Sequence, residues 1–536
     1  MKTRFCLLWM VLAICQMAFA DVHISVSHPD TWSAEELRPY IGKTVVFDVP
    51  MVVTSNYNGY TISTRRLFHA TNQALPRSSA YDNIVRLNKS GAITLNGVRG
   101  YHRCGEKIYN LRAKVNSTNS LTVLDSIWSG NTRADLEAGI PDLGDYRLQI
   151  CTMNLEYYLA TDYPSSGSMG PRSQAQHDKQ RAKINKALTR INADAYGFVE
   201  IQQGSVASKE IADDLNKSLP GRNYTYIADN TAVSGSYTKS GYVYDSNKLR
   251  PLGRVQQIDE KVQNRKMMIC FEEIDTHERF IFSVNHFKAK TSGGSGADAD
   301  MNDGQGSYNA SRCQEAQAVV DKYKIYREDI IDGTQHIAEK DILIMGDLNA
   351  YAKEDPIIKL LDAGMIDLHR VFHADSSYSY QYHYTGMAGY LDHALCNSSM
   401  RPQITGMAGY HINSDEDDKY TYDKSNDETM FRCSDHDPVL VGLKLDGSLT
   451  YDPTPMLNQL EVLNGKADEI TIQNAYKEGQ NCYYAIYDIY GRLISKAAKH
   501  PIESNLQPIE MPSAQGVYIL YIYYDRDVYR KKFIVR

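Results

Sequence analysis

The sequence predicts an α+β protein of several domains, and three observations predict it. Residues 21–145 carry short β-type runs broken by Gly and Asn; residues 146–446 alternate strand-like runs with helical periodicity; residues 456–536 return to short strands. A chain of 536 residues exceeds one ordinary hydrophobic core, and 42% apolar with 23% charged residues is a globular composition.

Residues 1–20 begin with Lys2 and Arg4, continue through an apolar run from Phe5 to Ile14, and end in Ala18-Phe19-Ala20, the layout of a secretory signal. The mature chain is expected to begin near Asp21. Leu12-Ala13-Ile14-Cys15 is the competing reading, a lipidation box with Ile14 where such boxes carry a small residue. No later stretch approaches the roughly 18 apolar residues that span a bilayer. Cys104, Cys151, Cys270, Cys313, Cys396, Cys433 and Cys482 are scattered and give no disulfide framework, although an oxidising compartment permits some bridges.

Thr44-Val45-Val46-Phe47-Asp48-Val49 and Leu111-Arg112-Ala113-Lys114-Val115 read as strands of a small all-β domain. Beyond Tyr146, the spacing of Ala182, Ile184, Ala187, Leu188 and Ile191 predicts a helix over 176–191, ending before Asn192-Ala193-Asp194. Its basic residues Lys179, Arg181, Lys183, Lys186 and Arg190 read mostly as a wet face. Residues 291–306, with Ser292-Gly293-Gly294-Ser295-Gly296, are expected to be loop; Asp298, Asp300 and Asp303 there are read as solvated or as a structural calcium site. A second polar, acidic loop spans 413–428. Tyr451-Asp452-Pro453-Thr454-Pro455 reads as a linker, and 456–536 as a small β-sandwich.

A net charge of −7 argues against coating nucleic acid by bulk attraction, but not against catalysis on phosphate. Between 150 and 440, several apolar runs each lead into an acid, amide or histidine: Asn154 and Glu156, Glu200, His286, Asp347 and Asn349, Asp392 and His393, and Asp435 with His436. A polar residue at the end of a buried strand lies where the sheet meets solvent, and many such ends on one edge make one cleft. Phosphodiester hydrolysis needs such a cleft, because an anionic phosphate repels its nucleophile until a hard cation on oxygen ligands offsets the charge. Glu156, Glu200 and Asp435 are the ligand candidates. His436 and His286 are the candidates for moving protons, Asp392 for orienting a histidine, and Asp347 and Asn349 for positioning water and phosphate. By strand alternation His393 faces away and is read as structural. Lys288 and Arg312 are candidates for phosphate contacts.

Asn154-Leu155-Glu156, Glu200, Asn285-His286-Phe287-Lys288, Gly346-Asp347-Leu348-Asn349-Ala350, Leu391-Asp392-His393 and Ser434-Asp435-His436-Asp437-Pro438 stand in the order found in the endonuclease/exonuclease/phosphatase superfamily, which 146–446 resembles. The resemblance implies a deoxyribonuclease-like four-layer fold, a two-sheet β-sandwich flanked by helices. It implies Asn154, Glu156, Glu200 and Asp435 on the metal side, and His286, Asp347, Asn349, Asp392 and His436 as the hydrolytic core, with His436 the base, Asp392 its partner and His286 the acid-side histidine. Related deoxyribonucleases support the equivalent of His286 with a glutamate near the strand corresponding to Ser240-Gly241-Tyr242-Val243-Tyr244, where this chain has no acid. Asp437 and Pro438 read as a structural turn. Asp303-Gly304-Gln305-Gly306-Ser307-Tyr308-Asn309 with Arg312, and His411-Ile412-Asn413-Ser414-Asp415-Glu416, look like segments of secreted bacterial extracellular nucleases, which adds Asn309 and Arg312 as substrate contacts.

Residues 21–145 resemble an oligonucleotide-binding β-barrel, and 456–536 resemble the sorting domain of the type IX export pathway. The expectation is therefore a secreted or cell-surface endonuclease, monomeric, acting on DNA without strong sequence preference, with RNA left open as a second substrate, and using Mg²⁺, with Mn²⁺ or Ca²⁺ as alternatives. The alternatives are a phosphoesterase acting on lipid headgroups or soluble phosphoesters, and a non-catalytic surface binding protein.

Overall fold

Alternation along Lys107–Ser117 buries Ile108, Leu111, Ala113 and Val115 and leaves their neighbours wet, so this strand turns one face inward. It pairs with Thr44–Phe47 and Met51–Ser55 on one side and with Ser120–Ser129 on the other. Ser120–Ser129 runs parallel to Ile93–Asn96, which returns through Tyr60–Ser63 to Met51–Ser55. The circuit closes into a small barrel with no free edge along it. The structure is a computed structural model that describes residues 21–446, apart from 166–168, 229–236, 259–264, 327–329, 333–334 and 338, together with parts of 461–535. The expected leader over 1–20 with Cys15, the expected linker over 451–455 and Cys482 lie outside the described residues.

The central region is a sandwich of two six-stranded mixed sheets. One contains Leu148–Tyr158, Ala195–Gln202, Thr238–Asp245 and Val439–Leu443; the other contains Lys266–Glu273, Arg279–Asn285, Ile342–Asp347 and Asp392–Cys396. Their facing residues, among them Ile150, Val199, Phe282, Val284, Met345 and Val441, form one dry layer. Gln174–Ile191 and Val206–Ser218 cover the outer face of the first sheet, and Asn309–Tyr326 and Asp355–Asp362 that of the second. The result is the four-layer arrangement, helices outside and sheets inside. Gly197 lies where the sheets meet, and a Cβ there would stand 2.4 Å from Val284 Cγ2. Between 461 and 535 the described strands form a three-stranded and a four-stranded antiparallel sheet. Among the described residues no helix is long and apolar enough to cross a membrane.

The helix over 174–191 starts at Ser173, whose side chain caps it, and stops at Asn192 in the left-handed region with φ 53°. Of its basic residues Lys179, Lys186 and Arg190 are exposed, as expected of a wet face, while Arg181 and Lys183 depart from it. Lys183 is buried and donates to the Asp427 carbonyl at 3.0 Å, Lys179 donates to Asn426, and Arg181 pairs with Glu210 and Asp214. The acidic loop 413–428 lies against this helix, and its Asp427 carbonyl meets the one lysine that is buried, Lys183. The aspartates of the 291–306 loop are likewise met by protein donors. Asp298 accepts from the Ser311 amide and hydroxyl at 2.8 and 2.6 Å, and Asp303 pairs with Arg77 of the barrel domain at 2.7 Å. The described cysteines are all free thiols, and all but Cys313 are buried.

The barrel is clamped to the sandwich by buried ion pairs. Arg103, 1% exposed, donates to Glu416 at 2.5 Å, and Glu416 also accepts from Arg133 at 2.6 Å and from the Tyr101 hydroxyl at 2.8 Å. Arg66 pairs with Asp415, whose carbonyl accepts from Asn56 and from the Cys104 amide. Asp415 and Glu416 of the His411–Glu416 segment are thus spent on the clamp.

Candidate active site

Leu148–Tyr158 and Ala195–Gln202 pair in parallel, but their register breaks between Asn154 and Tyr158. Glu156 and Tyr157 sit there in the left-handed region, at φ 51° and 57°. A second break, in the register of Ala195–Gln202 with Thr238–Asp245, coincides with Glu200 at φ 58°. Strain of this kind in non-glycine residues is uncommon and is tolerated where it aims a side chain. Glu156 and Glu200 therefore do not lie beyond strand ends, as the apolar runs imply; they sit at bulges inside strands, which turn them into the cleft.

On the second sheet, Gly346 has φ 121°, and a Cβ there would meet the Asn285 carbonyl oxygen at 2.2 Å. Only glycine allows Ile342–Asp347 to approach Arg279–Asn285 this closely, which sets Asp347 beside His286. Asp347 is held in place by three donors: the Asn349 amide at 2.8 Å, Asn154 Nδ2 at 3.2 Å and Asn349 Nδ2 at 3.3 Å. The Asn154 Oδ1 accepts from the Glu156 amide at 2.9 Å, so one asparagine spans the two sheets.

His436 Nδ1 lies 2.6 Å from Asp392 Oδ2, which also accepts from the Ser379 hydroxyl at 2.8 Å. That fixes the ring and leaves Nε2 facing the cleft, 3.9 Å from oxygens of both Asp347 and Asp435. His286 Nε2 is 3.7 Å from Glu200 Oε1 and 3.7 Å from Asp347 Oδ2, so Asp347 stands between the two imidazoles. The Asp437 carboxylate accepts from the amides of Asn413 and Ser414 at 2.8 and 2.9 Å; it builds the turn that carries Asp435 and His436. His393 is buried against Tyr390 with Nε2 2.7 Å from the Ala350 carbonyl, a structural placement.

Electrostatics follow from crowding acids in a nearly dry place. Burial, then the Asp435 charge, pushes Glu156 up to about 8 and Glu200 up to about 7. Burial also raises Asp347, to about 6, against the opposing pull of His436. For His436, burial favours the neutral ring, but the carboxylates of Asp392, Asp435 and Asp347 outweigh it and hold the pKa well above the ordinary value. His286 goes the other way: burial, with Arg265 nearby, holds it well below.

The cleft, about 300 Å³, is lined by Asn154, Glu156, Glu200, His286, Asp347, Asn349, Asp435 and His436 together, with Asp392 directly behind His436. The remaining candidates are elsewhere. Arg312 is buried and donates to the carbonyls of Lys288, Gln305 and Ser307, Asn309 donates to Asp355 at 2.8 Å, and Lys288 lies over the Tyr308 ring. Those three hold the loop before the Asn309–Tyr326 helix. Residues that sequence reasoning did not single out also shape the site. Tyr380 packs its ring 4.6 Å from that of His436, the Ser434 hydroxyl donates to the Asn154 carbonyl at 2.7 Å, and buried Arg432 sets its charge beside Glu156, Asp435 and Asp418.

One donor atom each from Asp347, Asp392 and His436 falls within 4.8 Å of the others. Asp392 and His436 already satisfy one another, so the better place for a hard cation is among Glu156, Glu200 and Asp435. Glu156 Oε2 is buried with no hydrogen-bond partner, and Glu156 and Glu200 are both destabilised as anions by Asp435. Oxygen donors crowded without enough protons or cations to match them fit a divalent metal.

Fold and cleft together define a class: four-layer proteins whose paired sheets carry acids, amides and two histidines into a single cleft. No family model matches the chain, and no curated protein matches it by sequence. Among solved structures it is similar to an endonuclease/exonuclease/phosphatase family protein of Bacteroides thetaiotaomicron, at 15% identity and a TM-score of 0.37 over 57% of this chain and 99% of that one. It is also similar to a mannosyl-6-phosphatase of the same organism, at 15% identity and a TM-score of 0.36, over 56% of this chain and 100% of that one. A third is a humanized D. rerio TDP2, at 13% identity and a TM-score of 0.36, over 55% of this chain and 98% of that one.

Proposed function

We propose that the chain is an exported, divalent-metal-dependent phosphodiesterase that cleaves nucleic acid, DNA foremost and also RNA. The observation that carries this reading is the convergence of two amides, six carboxylates and two histidines on one cleft, at the edge of the sandwich. A divalent cation among Glu156, Glu200 and Asp435 would supply charge neutralisation for a phosphodiester. The chain's own residues divide the remaining work. Asn349 spends both Nδ2 hydrogens on Asp347 and the Phe287 carbonyl and so positions Asp347, while Asn154, with one Nδ2 hydrogen on Asp347, has the other for a phosphate oxygen. Asp347, raised to about 6 and fixed by those donors, is placed to take the proton of an attacking water at Oδ2. His436, protonated at neutral pH and fixed through Nδ1 by Asp392, presents Nε2–H to the charge that builds on phosphate. His286 stays a neutral imidazole that orients Asp347 and Glu200, so the acid side of the reaction falls to His436. The leader at 1–20 and the resemblance of 456–536 to a sorting domain support export by the type IX route.

Nicking of supercoiled plasmid across a series of Mg²⁺, Mn²⁺ and Ca²⁺, with EDTA as control, tests the reading. Metal-dependent nicking that disappears in Glu200→Gln and in His436→Ala, both with unchanged melting cooperativity, is the expected result. Metal-independent nicking, or full activity in both variants, overturns it, as does efficient release of phosphate from lipid headgroups or sugar phosphates without any nicking.

A further inference from the structure

The ring over His436 belongs to a larger set. Tyr380 opens a hairpin whose strands Tyr380–Tyr382 and Met387–Gly389 pair with each other. Gln381 points into the barrel, donating to the Thr54 carbonyl at 3.0 Å and accepting from Arg66 at 2.7 Å. Strand alternation therefore sends Tyr380 and Tyr382 to the opposite face, roughly 7 Å apart. Tyr382 and Tyr384 are 42% and 65% exposed. His383 and Tyr384 lie 4.1 Å apart between centroids, and Tyr382 and Tyr384 5.3 Å. Tyr57 of the barrel completes the group, 4.6 Å from His383 and 5.2 Å from Tyr384.

This hairpin is seated firmly. The Ser55 hydroxyl donates to the His383 carbonyl at 3.2 Å, and the turn presses so closely on the barrel that a Cβ at Gly386 would stand 2.7 Å from the Thr54 carbonyl oxygen. Exposed rings on a fixed support lose little freedom when a flat ligand stacks on them.

We propose that the 380–384 segment and Tyr57 form a stacking platform for the unpaired bases of single-stranded nucleic acid, continuous through Tyr380 with the cleft. The proposal rests on the phosphodiesterase reading and adds the state of the substrate. Three observations select this occupant. Tyr380 belongs to both the hairpin and the lining of the cleft, so a strand held at one is delivered to the other. The protein carries a net charge of −7, and Lys424 at the cleft rim is already paired with Asp418, so phosphate attraction is a weak source of affinity and ring stacking a strong one. In a duplex the base faces are hidden, which leaves single strands as the form that can stack.

The test is binding of a fluorescein-labelled oligothymidylate to the full chain in EDTA, where no cleavage occurs. The comparison strands are an abasic oligomer of equal length and the duplex with oligodeoxyadenylate. The base-bearing single strand is expected to bind at least about tenfold more tightly than either, and Tyr382→Ala with Tyr384→Ala to weaken it by on the order of tenfold per ring. Abasic binding and the melting temperature should stay unchanged, and Tyr382→Phe with Tyr384→Phe should restore affinity. Equal affinity for base-bearing and abasic strands, no effect of the alanine pair, or an equal loss in the phenylalanine pair overturns the platform. So does a loss confined to binding of a β-linked glucose oligosaccharide. Binding in EDTA requires no chemistry, so the two readings fail separately: a protein that stacks bases but, with Mg²⁺ restored, cleaves neither plasmid nor the oligothymidylate overturns the phosphodiesterase, and one that cleaves but ignores bases overturns only the platform.

Discussion

Replacing Asp392 by Asn probes the division of labour in the cleft most directly. Asp392 is 2% exposed, and its Oδ2 is shared between His436 Nδ1 at 2.6 Å and the Ser379 hydroxyl at 2.8 Å. Asparagine has the same shape and can still accept from Ser379, so packing is retained while the charge is lost. A hydrogen bond to a charged group contributes about 2 kcal/mol, roughly twice a neutral one. Losing about 2 kcal/mol of transition-state stabilisation alone slows turnover about thirtyfold. Because the same bond also aims Nε2, the expected fall in kcat is between about thirtyfold and about a thousandfold, with KM little changed. Turnover on a short fluorogenic oligonucleotide at saturating cation measures this. In the metal-free protein the His436 ring should also titrate lower, since Asp392 is the largest of the charges that raise it. A kcat within threefold of the parent, or a loss matched by collapse of the melting transition, would refute the assignment of His436 and Asp392 as a working pair.

Two further outcomes follow from the same structure. Glu156, Glu200 and Asp347 have pKa values raised to about 8, about 7 and about 6, so the folded protein holds protons there that the unfolded chain has released. The contribution of these three groups then falls as pH rises through that window, as does that of the raised His436, whereas the buried neutral rings of His286, His69, His369 and His393 add stability up to the ordinary histidine range. Above about pH 7 those histidines no longer titrate in the unfolded chain, so thermal unfolding in EDTA should occur at lower temperature near about pH 8.5 than near about pH 7, with saturating Mg²⁺ removing most of the difference; a flat or rising profile in EDTA across that interval argues against the crowded acids. Glu416→Ala should destabilise the fold by about 3 kcal/mol or more, because it strands Arg103 in a site where that side chain is 1% exposed. Denaturant unfolding reads this, and a change below about 1 kcal/mol would mean that Arg103 finds solvent or another partner.

What was legible in the sequence is what local pattern encodes. Apolar runs that bury on both faces announced the strands of the sandwich, and the polar residues interrupting or following them supplied the cleft: Asn154, Glu200, His286, Asp347 and Asp435 are all within it. Asp437 could be read as a turn because a proline follows it. The bulges at Glu156 and Glu200 were not legible, since no glycine marks their positive φ; the neighbouring sheet pairing imposes it. Nor was the burial of Lys183 or Arg103. Arg103 meets Glu416 across 313 residues of chain, and no spacing rule connects such positions. The tyrosines did leave a trace: Tyr378, Tyr380, Tyr382 and Tyr384 recur at every second position, a strand period. The periodicity alone does not say that the members part company. Tyr378 is buried on His411, Tyr380 reaches His436, and Tyr382 and Tyr384 are exposed.

Residues 411–437 explain why barrel and cleft form one unit. Asp415 and Glu416 have fully buried carboxylates whose partners Arg66, Arg103 and Arg133 all come from the first 145 residues. The intervening Asn413 donates to the His436 carbonyl at 2.7 Å, and its amide is held by Asp437. The same loop continues to Asp418, which pairs with Arg432, the buried cation beside Glu156. Each link is short and buried or half-buried, so a displacement of the barrel is expected to reach the turn that positions His436. A sandwich beginning at residue 146 would leave two buried acids without their arginines, next to the segment that carries Asp435 and His436. The barrel therefore supports the cleft whatever it binds, and a nucleic-acid strand lying on Tyr57 and Tyr384 would meet a surface already locked to the catalytic turn.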